Sequence, residues 1–250
     1  MKHPALIRVA LLALLILLLE ILCARGVINR ITMQPPHVMA ANLGQMLVSG
    51  RLNGAILRTL GNAAIAFVLA MAAGTGAAFV LHRLRNVRAT LDPLFATYYA
   101  IPVFAFYPLL IILFGLGDVP EIVIGFLLAV IAVIVSVLGG LDRVPRVLLK
   151  TATVHGFNPW QTARRITLPY VAPYVLTGAK LALAYALIGV IGAEFIMSTN
   201  GMGYEISFAY TNFDNATMYP LILLIIVVSV AINALLGRWE QTLMRRRGLA

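Results

Sequence analysis

Long apolar runs alternate with short polar breaks along almost the whole chain. The runs fall near residues 5–24, 56–82, 94–116, 122–141, 171–196 and 220–239. Each is close to the roughly 20 residues that cross a bilayer as a helix. The pattern therefore predicts an all-α bundle of six membrane-spanning helices in one domain, residues 1–250, with no soluble domain.

The runs differ in what interrupts them. The first follows a basic start at Lys2, His3 and Arg8. Leu22 and Ala24 make no small-x-small cleavage site, and Leu22 is too large for a lipoprotein site before Cys23. This run reads as an uncleaved anchor, with Glu20 at the interface. The second repeats Ala66, Ala70, Gly74 and Ala78 every four residues. Small residues at that spacing let helix backbones approach closely, within one chain or across a dimer. The third holds Pro102 and Pro108, each of which removes a backbone donor. Freed carbonyls survive in a bilayer only against protein or water, so this helix is expected in the interior. Tyr98, Tyr99, Phe106 and Tyr107 crowd the same stretch, as packing or as pathway lining. The fourth is apolar all round.

The fifth run carries two ionisable residues, Lys180 and Glu194. Such groups inside a membrane face protein or water. Fourteen residues of helix separate them by about 21 Å, too far to pair. They share one stripe with Ala184, Leu187 and Ile191, expected to face the bundle interior. The bland alternatives are a snorkelling Lys180 and a Glu194 that caps or pairs structurally. Between runs, Arg83 to Asp92 reads as a basic turn and Gly115 to Glu121 as a short turn. Met197 to Tyr219 reads as a segment without Lys or Arg, with a turn at Asn200-Gly201.

The break from Lys150 to Pro169 is unusually well punctuated. Val147 to His155 contains no helix breaker, and Gly156 fits the left-handed position after a helix end. Asn158 fits an N-cap and Pro159 the first helical position of a second short helix. That helix is expected to end near Leu168, because Pro169 restricts its predecessor. As a bland reading, the break is only a structured connector.

Composition narrows the class. Apolar residues make up 61% and charged residues 11%, against roughly a quarter charged in soluble domains. The net charge of +10 could suggest nucleic acid, but no basic domain stands outside the apolar runs. Most basic residues lie where six spans would place the cytoplasm: Lys2, Arg8, Arg83, Arg85, Arg88, the 142–169 loop and the Arg245–Arg247 tail. This positive-inside bias puts both termini inside. Arg25, Arg30, Arg51 and Arg58 break it and suggest anionic headgroups or a docked partner. Cys23 is the single cysteine, so no intrachain disulfide forms. No Gly-Lys-Ser/Thr phosphate loop, His-Glu-x-x-His or Gly-x-Ser-x-Gly occurs. The chain is read as non-catalytic, without cofactor or metal.

Gly156, nine residues, then Ile166-x-Leu168-Pro169 resembles the EAA loop of ABC-importer permeases, Glu-Ala-Ala-x-x-x-Gly, nine residues, Ile-x-Leu-Pro. The first half departs: Lys150 and Thr151 replace Glu and the first Ala, while Ala152 keeps the second. Within these permeases the chain is similar to the nitrate/sulfonate/taurine group. Tyr99-Ala100-Ile101-Pro102, Tyr107-Pro108-Leu109, Phe114-Gly115-Leu116-Gly117, Ala193-Glu194 and Gly201-Met202-Gly203-Tyr204 carry that likeness. The resemblance spans about Leu57 to Arg246.

It implies a type I importer permease: a dimer of permeases, each on a cytoplasmic P-loop ATPase, with a binding protein delivering solute from outside. It makes Lys150, Ala152, Gly156, Ile166, Leu168 and Pro169 the ATPase-coupling loop. The broken third run and the fifth-run stripe place Tyr99, Pro102, Tyr107, Lys180 and Glu194 near the translocation pathway. The implied solute is a small anion such as a sulfonate, taurine or nitrate. The rivals are a secondary transporter or channel needing no ATPase, and a membrane-embedded enzyme.

Overall fold

The computed structural model describes residues 4–29 and 32–246; of residues 4–6, 8 and 239–246 only the backbone is considered. Lys2, Arg8, Arg30 and the Arg245–Arg247 tail, all part of the charge pattern, therefore lie outside the described residues or side chains. The described residues form an all-helical bundle. In order the helices are α1 (Pro4–Ala24), α2 (Pro36–Val48), α3 (Asn53–Arg83), α4 (Arg85–Thr97), α5 (Tyr107–Phe114) and α6 (Asp118–Leu141). There follow α7 (Arg146–Val154), α8 (Pro159–Thr162), α9 (Leu168–Met197), α10 (Met202–Thr211) and α11 (Asn215–Arg246).

Among the described residues, four helical stretches can cross a bilayer by length and composition: Asn53–Arg83, Asp118–Leu141, Pro159–Thr211 and Asn215–Arg238. The pair Arg85–Ala100 and Val103–Phe114 makes a fifth when taken as one bent span. Val9–Ala24 is apolar but shorter.

The core is built where α6 packs on α9 and α3. These helices are buried along whole faces because small residues bring their backbones together. A Cβ on Gly189 would lie 2.6 Å from the Cα of Gly125, so a side chain there would force α6 and α9 apart. The α3 repeat works the same way: Ala66, Ala70 and Ala78 are fully buried, and a Cβ on Gly74 would lie 2.7 Å from Val133. Thus the repeat packs inside one chain, against α6.

Several boundaries differ from those the sequence predicts. Arg83 to Asp92 is not a turn: α4 starts at Arg85. The third run is not one helix. It runs through α4, a 3-10 turn at Tyr98–Ala100 and a second at Val103–Phe106 into α5, and bends by 87°. Pro102, without an N–H, sits at the bend in non-helical backbone (φ −73°, ψ 84°), directly after the extended Ile101. Nor is this run wholly interior. Val103, Tyr107 and Leu110 are buried, while Leu109, Ile112 and Leu113 are exposed in the single chain. The turn before α6 is shorter than expected, since α6 begins at Asp118 and encloses Glu121. The segment after α9 is helical as α10, and α11 starts at Asn215 with Pro220 inside it.

Candidate functional site: a punctuated loop, an open cavity and two buried carboxyl networks

At one end of the bundle lies the 142–168 connection. α7 ends in a Schellman arrangement: Phe157 N–H donates to Ala152 O (2.9 Å) and Gly156 N–H to Thr153 O (3.0 Å). Gly156 takes the left-handed conformation this requires, with φ +68°. Ala152 is buried at 2% exposure. Asn158 caps α8 in a capping box, accepting from Gln161 N–H (2.7 Å) while Gln161 Oε1 accepts from Asn158 N–H (3.0 Å). Pro159 is the first helical residue.

The expected stop at Leu168 is absent. A π turn at Ala163–Thr167 feeds directly into α9. Leu168 stays helical (φ −60°, ψ −46°), and Pro169 sits in the first turn of α9. Widening the helix just before a residue that lacks an N–H lets the chain continue where an ordinary α turn would lose its bond. The loop is thus rigidly joined to α9. Lys150 is exposed. So are Val147, Val154 and Trp160, at 71%, 85% and 70%. Ile166 is half-buried and Leu168 exposed. Arg165 stacks over Phe157 at 5.3 Å and Arg143 over Tyr174 at 5.5 Å.

Beside this loop an ionic cluster ties α4 to α6. Arg88 donates to both carboxylate oxygens of Asp142, each at 2.6 Å, and its Nε lies 3.6 Å from Asp92. His82 Nδ1 lies 3.4 Å from Asp142 without hydrogen-bond geometry. The hydrogen bond from Arg88, foremost, holds the Asp142 carboxyl below its ordinary range.

Arg88, Asp92 and Asp142 also line a cavity of about 600 Å³ between α4, α6 and α9. Tyr99 forms part of its wall, stacked on Tyr185 with centroids 5.2 Å apart and planes at 22°. Tyr98 stands edge-on to Tyr99 (5.9 Å, 82°) and donates from its hydroxyl to Leu127 O at 3.0 Å. Of the predicted pathway residues, Tyr99 lines this cavity; Pro102, Tyr107, Lys180 and Glu194 do not. Lys180 is half-buried, next to the lining residue Leu181.

Tyr107 and Glu194 lie towards the far end. Tyr107 is 1% exposed, in an apolar cluster with Val103, Leu110, Ile124 and Ala193. Glu194 is fully buried. It accepts from Thr59 Oγ1 (2.8 Å) and from Gly203 N–H (2.9 Å), and Thr59 in turn accepts from Met202 N–H (2.8 Å). Glu194 therefore caps α10 and pins it to α3 and α9. A second carboxyl group, Glu121, is also fully buried and accepts from Asn62 (3.0 Å) and Ser198 (2.7 Å). Asn62 also donates to Asp118 (2.9 Å), which pairs with Arg58 (2.6 Å).

Two of the arginines that break the charge bias thus have acidic neighbours: Arg58 beside Asp118, and Arg51 3.9 Å from Glu205. Sequence reasoning missed Thr59, Asn62, Asp118, Glu121 and Ser198. A signal was available, since Thr59/Asn62 and Asp118/Glu121 are polar pairs three residues apart, on one face of their helices.

Residues 66–248 match the family model described as "Binding-protein-dependent transport system inner membrane component". The riboflavin transport system permease protein RibX of Chloroflexus aurantiacus is 27% identical over 210 residues, 84% of this chain and 78% of the relative. The putative aliphatic sulfonates transport permease protein SsuC of Bacillus subtilis is 25% identical over 94% of this chain and 85% of its own length. The taurine transport system permease protein TauC of Escherichia coli is 32% identical over 50% of this chain and 45% of its own. Among solved structures, a chain of the MetNI methionine ABC transporter in inward facing conformations superposes with a TM-score of 0.64. It is 17% identical and covers 76% of this chain and 94% of that one, a likeness of fold.

Proposed function

The chain belongs to the family of binding-protein-dependent transport system inner membrane components, and from that premise we propose that it is the permease of an ATP-driven importer. In this reading six helices span the membrane, with α1 and the α4–α5 pair as two of the spans. Both termini and the 142–168 loop face the cytoplasm, as the positive-inside bias indicates. A binding protein delivers solute at the far end, and a second permease, most simply an identical copy, completes the pathway. A separate P-loop ATPase dimer hydrolyses the ATP.

The observation that carries this reading is the joint between loop and span. Gly156, the Asn158 capping box and the π turn hold α7 and α8 in fixed geometry on α9. The exposed apolar side chains Val147, Val154 and Trp160 form the outer face of that joint. A push on this face by an ATPase reaches α9 without a flexible linker in between. At the far end the Glu194 and Glu121 networks tie α3, α6, α9 and α10 together, while the Tyr99 cavity lies toward the loop end. In this reading the pathway opens toward the loop.

For the solute, SsuC and TauC support an anion such as a sulfonate or taurine, with nitrate as the inorganic counterpart. RibX, which aligns over more of the chain than TauC, supports a ring compound.

The test is co-purification from membranes with thiol labelling. The chain is expected to retain a P-loop ATPase. A cysteine at Ser207 should label with an impermeant reagent in intact cells, and one at Thr153 should not. Labelling of Thr153 from outside would overturn the orientation. Solute uptake that persists without any ATPase would replace the importer with a secondary transporter.

A further inference from the structure

The cavity beside the 142–168 loop has the chemistry of a ligand site, and its lining bears on which solutes it admits. Its volume, about 600 Å³, falls in the range of small-molecule pockets. Its wall is aromatic and ordered. Tyr98 is fixed by its hydrogen bond to Leu127 O, packs edge-on to Tyr99, and Tyr99 stacks on Tyr185. Tyr99 remains 46% exposed, so this held ring still has surface to offer. Phe95 and Leu181 extend the apolar surface, and Ser136 adds a hydroxyl. A rigid aromatic wall with few polar groups recognises a flat ring by stacking.

Charge supplies the second half of the argument. The lining holds one cation, Arg88, and two carboxylates, Asp92 and Asp142. Arg88 is committed to Asp142 through two 2.6 Å hydrogen bonds and also lies near Asp92. The lining therefore carries a net negative charge, and its guanidinium fork is already filled. An anion entering here meets an excess carboxylate and no available bidentate donor.

We propose that this cavity is a solute-binding station in the permease, selective for a flat aromatic ring compound that bears no net negative charge. The inference rests on the importer reading and selects within it, favouring a ring over a sulfonate at this station.

The test uses the full chain in lipid nanodiscs and three fluorescent probes: neutral lumichrome, cationic proflavine and anionic naphthalene-2-sulfonate. Saturable binding is expected for the first two and at least about tenfold weaker binding for the third. Tyr99→Ala should weaken lumichrome roughly tenfold through loss of one aromatic wall. Tyr99→Phe, which keeps the ring, should recover most of the binding lost in Tyr99→Ala, and an unchanged Tm of Tyr99→Ala shows that its fold is intact. Asp92→Asn should strengthen naphthalene-2-sulfonate a few-fold.

Three results would overturn the proposal: no saturable lumichrome binding, lumichrome binding unchanged in Tyr99→Ala, or naphthalene-2-sulfonate or taurine competing on equal terms with lumichrome. Binding-protein-stimulated ATP hydrolysis by the reconstituted complex, measured in parallel, separates the two failures. Stimulation without ring binding rejects only the station. Absent stimulation rejects the importer reading itself.

Discussion

At the far end of the bundle two carboxyl groups, Glu121 and Glu194, are fully buried and are met by neutral donors: Asn62, Ser198, Thr59 and the Gly203 backbone. At the loop end Asp142 meets the Arg88 guanidinium, with 41% and 23% of the two side chains exposed. The far-end bonds join residues 135 and 77 positions apart, so they fix tertiary structure in a site that excludes water. The loop-end pair sits in partly exposed, screened surroundings at the mouth of a cavity, where even a bidentate ion pair contributes little net stability. The difference separates a buried, tightly bonded region, where any change is felt in the fold, from an open region, where change is felt in function.

The largest expected effect probes the buried network. A Cβ on Gly203 would lie 2.3 Å from the backbone oxygen of Ile191, 2.7 Å from Glu194 Cβ and 2.8 Å from Phe195 N. Backbone atoms cannot swing aside, so Gly203→Ala must displace α10. It should destabilise the protein by about 1–3 kcal/mol or more, visible as a lowered Tm in detergent. An unchanged Tm would mean that α10 is loosely held.

A smaller effect tests the loop-end pair. Asp142 is held below its ordinary range, so its stabilisation is complete above the unfolded value of about 3.9. It is lost as pH falls through the lower folded value. Asp142→Asn should therefore lower Tm slightly at pH 7, by less than the Gly203 change, and the gap should begin to shrink below about pH 4 and vanish once the pH is below the folded value. A gap that persists there would point to packing rather than charge.

The smallest effect concerns Lys150, exposed on α7. Lys150→Glu should leave Tm unchanged and weaken ATPase association, more so at low salt where charges are less screened. Indifference at every ionic strength would make Lys150 a solvated loop charge.

How much of this was legible in the sequence follows from range. The Gly156 turn, the Asn158 cap and the Pro159 start are local: each needs only a few neighbouring residues, and each stands where the sequence places it. Pro169 marks where local reasoning failed. Its ban on the preceding helix was overridden by a π turn that carries the chain into α9. The third run was legible as broken, but neither the 87° bend nor the partial exposure of the run could be read from two prolines. The stacking of Tyr99 on Tyr185 and the network around Glu121 and Glu194 join distant segments, which no spacing in one sequence displays. Glu194 was legible as an interior residue that caps or pairs structurally. Which helix it caps became visible only once Gly203 was folded back beneath it.

In the proposed importer, the 142–169 loop transmits an ATPase's work to the spans through a joint held at Gly156. A Cβ at Gly156 meets no atom within 4 Å, but the backbone is left-handed there. Gly156→Val should therefore cost roughly 1–3 kcal/mol of local strain without disturbing the distant core. The most direct measurement is binding-protein-stimulated ATP hydrolysis in proteoliposomes, with wild-type permease and with Gly156→Val. The account predicts stimulation by the wild type and a loss of most of it in the variant, while the variant still inserts and still shows the Ser207 and Thr153 labelling pattern. Equal stimulation by both, with the variant fully assembled, would contradict it.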